Sequence, residues 1–236
     1  MTNTDIDATT LQDINAFNGS LAQRVYLALQ EAILSLHFLP GEVVRKGPIC
    51  KRLGVSRSPV SEAIARLANE GLVDVIPQSG TRVAYFSMED IREGTFLRQA
   101  LELASVAKVA EDCTEDQLTQ INRNMRLQAL LVEDGDFPGF YQADEEFHAL
   151  LMLFTGFPRL KTVARMVSLQ VTRARMLLLP TPGRATETLE EHQAIHDAIR
   201  ARDPEAAQRA MKHHLGQLMP RIEALAQKRP ELFHSR

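Results

Sequence analysis

Cysteine is scarce in this 236-residue chain, with Cys50 and Cys113 the only two. They stand far apart and match no metal-ligand spacing, which argues against a disulfide framework. Long apolar runs are also missing. The longest candidate, Ala149 to Phe154, falls far short of the roughly 20 residues that span a membrane, so no membrane partner is expected. Met1 to Gly19 is polar and acidic and lacks an apolar signal segment, so it reads as a flexible leader and the protein as cytoplasmic. No internal repeat or low-complexity segment is evident, and between Ile91 and Gln227 nothing alternates with the period of a strand.

Positive charge is not in excess either, since 27 Lys and Arg stand against 30 Asp and Glu, a net charge of −3. Its distribution is uneven. Pro40 to Arg82 holds Arg45, Lys46, Lys51, Arg52, Arg57, Arg66 and Arg82 against Glu42, Glu62, Glu70 and Asp74, roughly +3 locally. So modest an excess suggests that one copy binds nucleic acid weakly, and that a homodimer reading two half-sites is the working unit.

The most informative stretch lies in that basic segment, Leu53-Gly-Val-Ser-Arg57-Ser-Pro-Val-Ser61-Glu-Ala-Ile-Ala-Arg-Leu67. Leu53 closes a short helix that begins near Pro48, and Gly54 permits a tight turn. Val60, Ile64 and Leu67 recur at helical spacing as a buried stripe, leaving the opposite face free. Ser56 and Ser58 can cap the helix after the turn or bond phosphate, Pro59 suits its first turn, and Arg57 can make a bidentate contact with guanine. Val73 to Ile76 and Thr81 to Tyr85 then flank Pro77-Gln78-Ser79-Gly80, the pattern of a hairpin forming a wing. Upstream, Ser20-Leu-Ala-Gln23 has the form of a capping box. Leu21, Val25, Leu29, Ile33 and Leu36 continue a first helix to Pro40-Gly41.

Turn, recognition helix, Glu70-Gly-Leu-Val73 and Gly80-Thr-Arg-Val83, in this order, resemble the winged helix-turn-helix domain of GntR-family bacterial transcription regulators. The resemblance covers about residues 20 to 86. It implies that Ser56 and Ser58 anchor phosphates, that Arg57 reads a base, and that Gln78, Ser79, Gly80 and Arg82 set the wing at or near the minor groove. Two departures stand out. Ser61 occupies a position where many members carry a base-reading arginine, and Arg45-Lys46-Gly47-Pro48 replaces an acidic-polar opening of the second helix. A shifted or relaxed operator preference follows, with Arg45 and Lys46 supplying extra phosphate contacts.

At Phe86-Ser87-Met-Glu-Asp90 a capping serine precedes an acidic residue by three positions, so a new helix begins and the domain boundary falls near Ser87. Beyond it, amphipathic runs are broken at Gly135 to Pro138, Gly156 to Pro158, Pro180 to Gly183 and Asp203-Pro204, with Pro230 after the last. The expected fold is mainly α: a leader over 1–19, a winged domain over 20–86 and an antiparallel bundle of six or seven helices over 87–229.

Asp144 and His148 share one helix face by their i, i+4 spacing, while His192 and His214 lie in two further apolar helical patterns. One carboxylate and three imidazoles suit zinc, nickel or another first-row divalent ion. Taken singly, each histidine is more often a hydrogen-bonded core or surface residue than a ligand, and spacing alone does not promote them. The order Asp-x-x-x-His, then Glu-His, then His-Leu is similar to the FCD ligand-binding domain of the FadR subfamily, over about Ser87 to Gln227. That resemblance implies a metal held by Asp144, His148, His192 and His214, with His213 on the wrong helix face and His196 a pocket residue or alternative ligand. It also implies a small carboxylate effector clamped by Arg98, whose other reading is a surface pair with Glu102. Arg173 and Arg175 are weaker candidates of which at most one faces inward. The functional expectation is a homodimeric repressor on an inverted-repeat DNA operator, modulated by the carboxylate. Two other classes remain open: a metal-dependent hydrolase, for which no further general base is visible, and an architectural DNA-binding protein with a structural metal.

Overall fold

The computed structural model describes residues 4–178 and 181–233. Pro180, one of the expected helix breakers, lies outside them. The chain divides into two compact units, one comprising residues up to Asp90 together with the segment from Arg229, the other Ile91–Lys228. The second boundary therefore sits a few residues beyond Ser87. The final segment belongs with the first unit.

In the first unit, α1 (Leu21–Leu34) packs on α3 (Arg57–Asn69) and α2 (Lys46–Leu53) packs on α3 as well. Ser20 Oγ accepts from the Gln23 amide at 3.2 Å, as its cap position requires. The helix ends well before Pro40 because Leu36 takes a left-handed backbone, φ 60°. Gly54, φ 65°, closes α2 in the left-handed region that glycine enters without penalty. Val60, Ile64 and Leu67 are buried as the stripe requires, joined by Pro59 and Ala63. Strands β1 (Val73–Ile76) and β2 (Gly80–Val83) pair antiparallel, Val73 opposite Val83.

The segment expected to be a flexible leader is instead built into this unit. Ile6 N donates to Val43 O at 3.1 Å and Val43 N to Thr4 O at 2.9 Å, while Val44 N donates to Thr81 O. Residues 4–6 thus extend the wing sheet by way of Val43. Two 3-10 turns, Ala8–Thr10 and Ile14–Ala16, follow, each with an aspartate cap, and Ile6, Ala8, Leu11 and Ile14 are buried. These isolated apolar residues show no period, yet each finds a place in the core. At the other end, Phe233 packs its ring 5.4 Å from Phe86.

The second unit is helical throughout its described residues: α4 (Met88–Asp112, entering from the first unit), α5 (Glu115–Glu133), α6 (Phe137–Phe154), α7 (Leu160–Val167), α8 (Leu169–Met176), α9 (Arg184–Arg200), α10 (Pro204–Gly216) and α11 (Leu218–Lys228). The Asp90 amide donates to Ser87 Oγ at 3.1 Å at the start of α4. Eight segments appear where six or seven were expected, because Ser168 and Gln217 interrupt stretches that read as continuous. Short connections make α5 with α6 and α9 with α10 neighbouring pairs, and α5 also packs on α9. Val106, Ile121, Phe147, Leu151, Ile195, Met211 and Cys113 share one core. Among the described residues no helix is long and apolar enough to cross a membrane.

Candidate metal centre and nucleic-acid interface

The core position of α6, α9 and α10 carries Asp144, His148, His192 and His214 inward, and all four are buried. The Nε2 atom of His214 lies 3.2 Å from that of His148 and 3.4 Å from that of His192. Asp144 brings Oδ1 to 3.6 Å from His192 Nε2 and Oδ2 to 3.9 Å from His148 Nε2. The four expected ligands therefore converge on one point.

The far side of each ring fixes its tautomer. His148 Nδ1 lies 2.5 Å from Glu102 Oε2, His192 Nδ1 2.8 Å from Gln128 Oε1, and His214 Nδ1 2.7 Å from Glu191 Oε2. An ionised carboxylate or an amide oxygen only accepts, so each Nδ1 donates and each Nε2 turns a lone pair to the centre. The Gln128 amide is itself oriented, since its Nε2 donates to Asn124 Oδ1 and Asn124 donates to Ala143 O. Among the described residues Asp144 Oδ1 has no hydrogen-bond partner. Three imidazole lone pairs and a carboxylate oxygen repel one another in a buried space unless a cation lies among them. The residues fit a divalent metal.

Electrostatics keep the donors in ligand form. Burial alone would raise the Asp144 carboxyl, but Arg175, followed by His148, outweighs it and holds the group far below the usual range. Burial and the nearby His214 push His192 well below 6.5. Burial likewise takes His214 down to about 4, against the hydrogen bond that its Nδ1 donates to Glu191. Phe147 stacks on the His192 ring at 4.3 Å.

Beside the cluster opens a cavity of about 740 Å³, mouth included, with Asp144 and His214 in its wall and four arginines, Arg98, Arg175, Arg184 and Arg221, around it. Arg98 does pair with Glu102, Nε to Oε1 2.5 Å, but the pair is buried rather than superficial, and the same Glu102 holds His148. Arg175 bonds Asp144 and Glu145. Arg184 grips Glu191 with two nitrogens at 2.8 and 3.0 Å, and Arg221 bonds Glu187 at 2.7 Å. His196 and Arg173 are buried yet lie off this wall. His196 instead has Nδ1 3.2 Å from Gln193 Nε2. The expectation that only one of Arg173 and Arg175 faces inward also fails, because α8 is enclosed on more than one side: Arg173 is fully buried and the Arg175 side chain is 14% exposed. His213 is exposed, as its helix face implies. Sequence reasoning missed Glu102, Gln128, Arg184, Glu191 and Arg221. Glu191 had a signal in its place just before His192, whereas Gln128 had none.

In the first unit, Ser56, Arg57 and Ser58 are exposed at the start of α3, and Ser56 makes no side-chain capping bond. Gln78, Ser79 and Gly80 are exposed at the wing tip, where Gln78 takes φ 61° and Gly80 φ 104°. Arg82 donates to Gly41 O at 3.1 Å. Arg45 Nε lies 2.7 Å from both carboxylate oxygens of Asp5, and Lys46 Nζ lies 2.9 Å from Ser61 Oγ.

Residues 21–83 match the family model described as bacterial regulatory proteins, gntR family, and residues 93–217 match the FCD domain. The chain is 30% identical over 211 residues to the HTH-type transcriptional repressor RspR of Escherichia coli K12, covering 89% of this chain and 92% of that one. It is 31% identical over 217 residues to an HTH-type transcriptional regulator in an unstable DNA locus of Streptomyces ambofaciens, covering 92% and 91%. Among solved structures, a putative GntR transcriptional regulator from Rhodococcus sp. RHA1 superposes with TM-score 0.75 at 26% identity, covering 87% and 99%. Escherichia coli McbR/YncC superposes with TM-score 0.77 at 20% identity, covering 88% and 99%, a likeness of fold.

Proposed function

Since the chain belongs to the GntR family of bacterial transcription regulators and carries that family's FCD domain, we propose that it is a metal-dependent, ligand-responsive repressor. Asp144, His148, His192 and His214 hold the divalent ion, zinc or nickel by the chemistry of one carboxylate and three imidazoles. The single observation that carries this reading is the convergence of three Nε2 atoms and Asp144 Oδ1, with every Nδ1 engaged by an acceptor behind it. When bound, the ion supplies a Lewis-acidic anchor for an anionic group. The chain's own residues do the rest: Arg98 and Arg175 face the cavity next to the cluster, with Arg184 and Arg221 also on its wall, which suits a small carboxylate.

The working unit is a homodimer on an inverted-repeat operator. Phe96 and Met166 are 70% and 68% exposed, and α7 buries none of its side chains, so this unit presents apolar surface for a second copy. Ser56 and Ser58 anchor phosphates, Arg57 reads a base, and Gln78, Ser79 and Gly80 bring the wing to the duplex. An effector changes operator affinity only through unequal affinity for the DNA-competent and incompetent arrangements.

The test is chelator stripping and re-metallation of the full chain, followed by thermal shift against a panel of small carboxylates and fluorescence anisotropy on operator DNA. The proposal expects the metal to stabilise, one acid to add further stability only with metal present, and that acid to alter DNA affinity. Stabilisation by metal without any acid response assigns the ion a structural role. No response to metal overturns the site.

A further inference from the structure

The base-reading surface of α3 is completed from outside α3. Ser61 follows Arg57 by one turn and is half-buried, and its Oγ accepts a hydrogen bond from Lys46 Nζ at 2.9 Å. Lys46 is the first residue of α2 and is exposed. Among the described residues it forms no ion pair: the neighbouring acid Asp5 is taken by Arg45. A cation at a helix N-terminus also faces the positive end of the helix dipole, which is unfavourable until an electronegative group arrives.

We propose that Lys46 is a specificity-determining residue of the DNA interface, its ammonium positioned by Ser61 to donate to a base edge beside the one met by Arg57. The inference rests on the DNA-binding reading and goes beyond it. Three points favour a base over a phosphate. The first turns of a recognition helix are the part that reaches base edges in the major groove, and Ser61 lies there with Arg57. An ammonium bonded to one serine hydroxyl keeps two further N–H donors. Guanine presents two acceptors, O6 and N7, on its major-groove edge, and lysine is suited to both. Arg45, by contrast, is held by Asp5 and is the less available cation of the pair.

The experiment is random-site selection with the full-length protein, followed by anisotropy titrations of the parent, Lys46→Ala and Ser61→Ala across a salt series. The selected operator carries a guanine in each half-site that Lys46→Ala no longer prefers. Lys46→Ala binds that operator about tenfold or more weaker, and loses little on a duplex with the guanine replaced. Ser61→Ala weakens the preference at the same position only. Equal loss on every duplex, with the salt slope reduced by about one, makes Lys46 a phosphate contact and overturns the inference while leaving the DNA-binding reading intact. Unchanged selection also overturns it. A parent that binds no duplex at all would instead sink the DNA-binding reading. Lys46 is exposed and Ser61 half-buried, and unchanged thermal melting of the variants serves as the folding control.

Discussion

Gln128→Leu removes a group that does not touch the metal position, yet it should weaken metal binding. Gln128 Oε1 accepts from His192 Nδ1 at 2.8 Å, and that bond alone among the described contacts fixes which nitrogen of His192 carries the proton. With leucine there, the imidazole is free to move its proton to Nε2, 3.4 Å from His214 Nε2 and 3.6 Å from Asp144 Oδ1, both acceptors. The metal-free protein gains a hydrogen bond by this switch and the metal loses a ligand. Loss of such an orienting partner costs about 10- to 100-fold in affinity. At a metal concentration about a thousandfold above the parent's Kd, binding contributes about 4.1 kcal/mol, falling to about 2.7 or about 1.4 kcal/mol in the variant. At about 3 °C per kcal/mol, a metal-induced rise in Tm of about 12 °C shrinks to between about 8 and about 4 °C. The assay is thermal shift with and without metal, paired with competition against a chelator of known affinity. An undiminished rise in Tm with undiminished competition would refute the reasoning that the tautomer is set from behind.

Leu11→Ala should destabilise the DNA-binding unit by about 2–5 kcal/mol in denaturant unfolding, because the side chain is only 1% exposed; a frayed leader would give no change. The metal-free protein should lose stability as pH falls from 6.5 towards about 4. His214 titrates near 6.5 when unfolded but near 4 when folded, so the unfolded chain binds more protons in that window. Equilibrium unfolding at several pH values reads this directly, and a flat profile there would contradict it. Met166→Asp places a charge on the apolar face of α7 and should shift the protein to monomer in sedimentation velocity, with an intact helical spectrum.

Local chemistry made much of this legible. Val60, Ile64 and Leu67 repeat with the helix period, Gly54 and Ser56 stand where a turn and a cap must, and the β1 limits coincide with the apolar run Val73 to Ile76. The family order of Asp144, His148, His192 and His214 brought out a cluster that spacing alone left undecided. What stayed hidden depends on distant neighbours. Ile6 and Leu11 carry no period, so nothing local distinguishes a buried arm from a loose one. Arg98 and Glu102 have the spacing of a surface pair, and only the presence of His148 on α6 makes them part of the site. Arg173 and Arg175 were separated by helix parity, which fails where a helix is enclosed on several sides.

Helix α11 carries Leu218 and Arg221 on the cavity wall and ends at Lys228, and the chain runs directly from there into the segment whose Phe233 rests on Phe86. The backbone thus passes between the two units twice, once entering α4 and once leaving α11. In mechanical terms the DNA-binding unit hangs on a closed loop of chain rather than on a single leash.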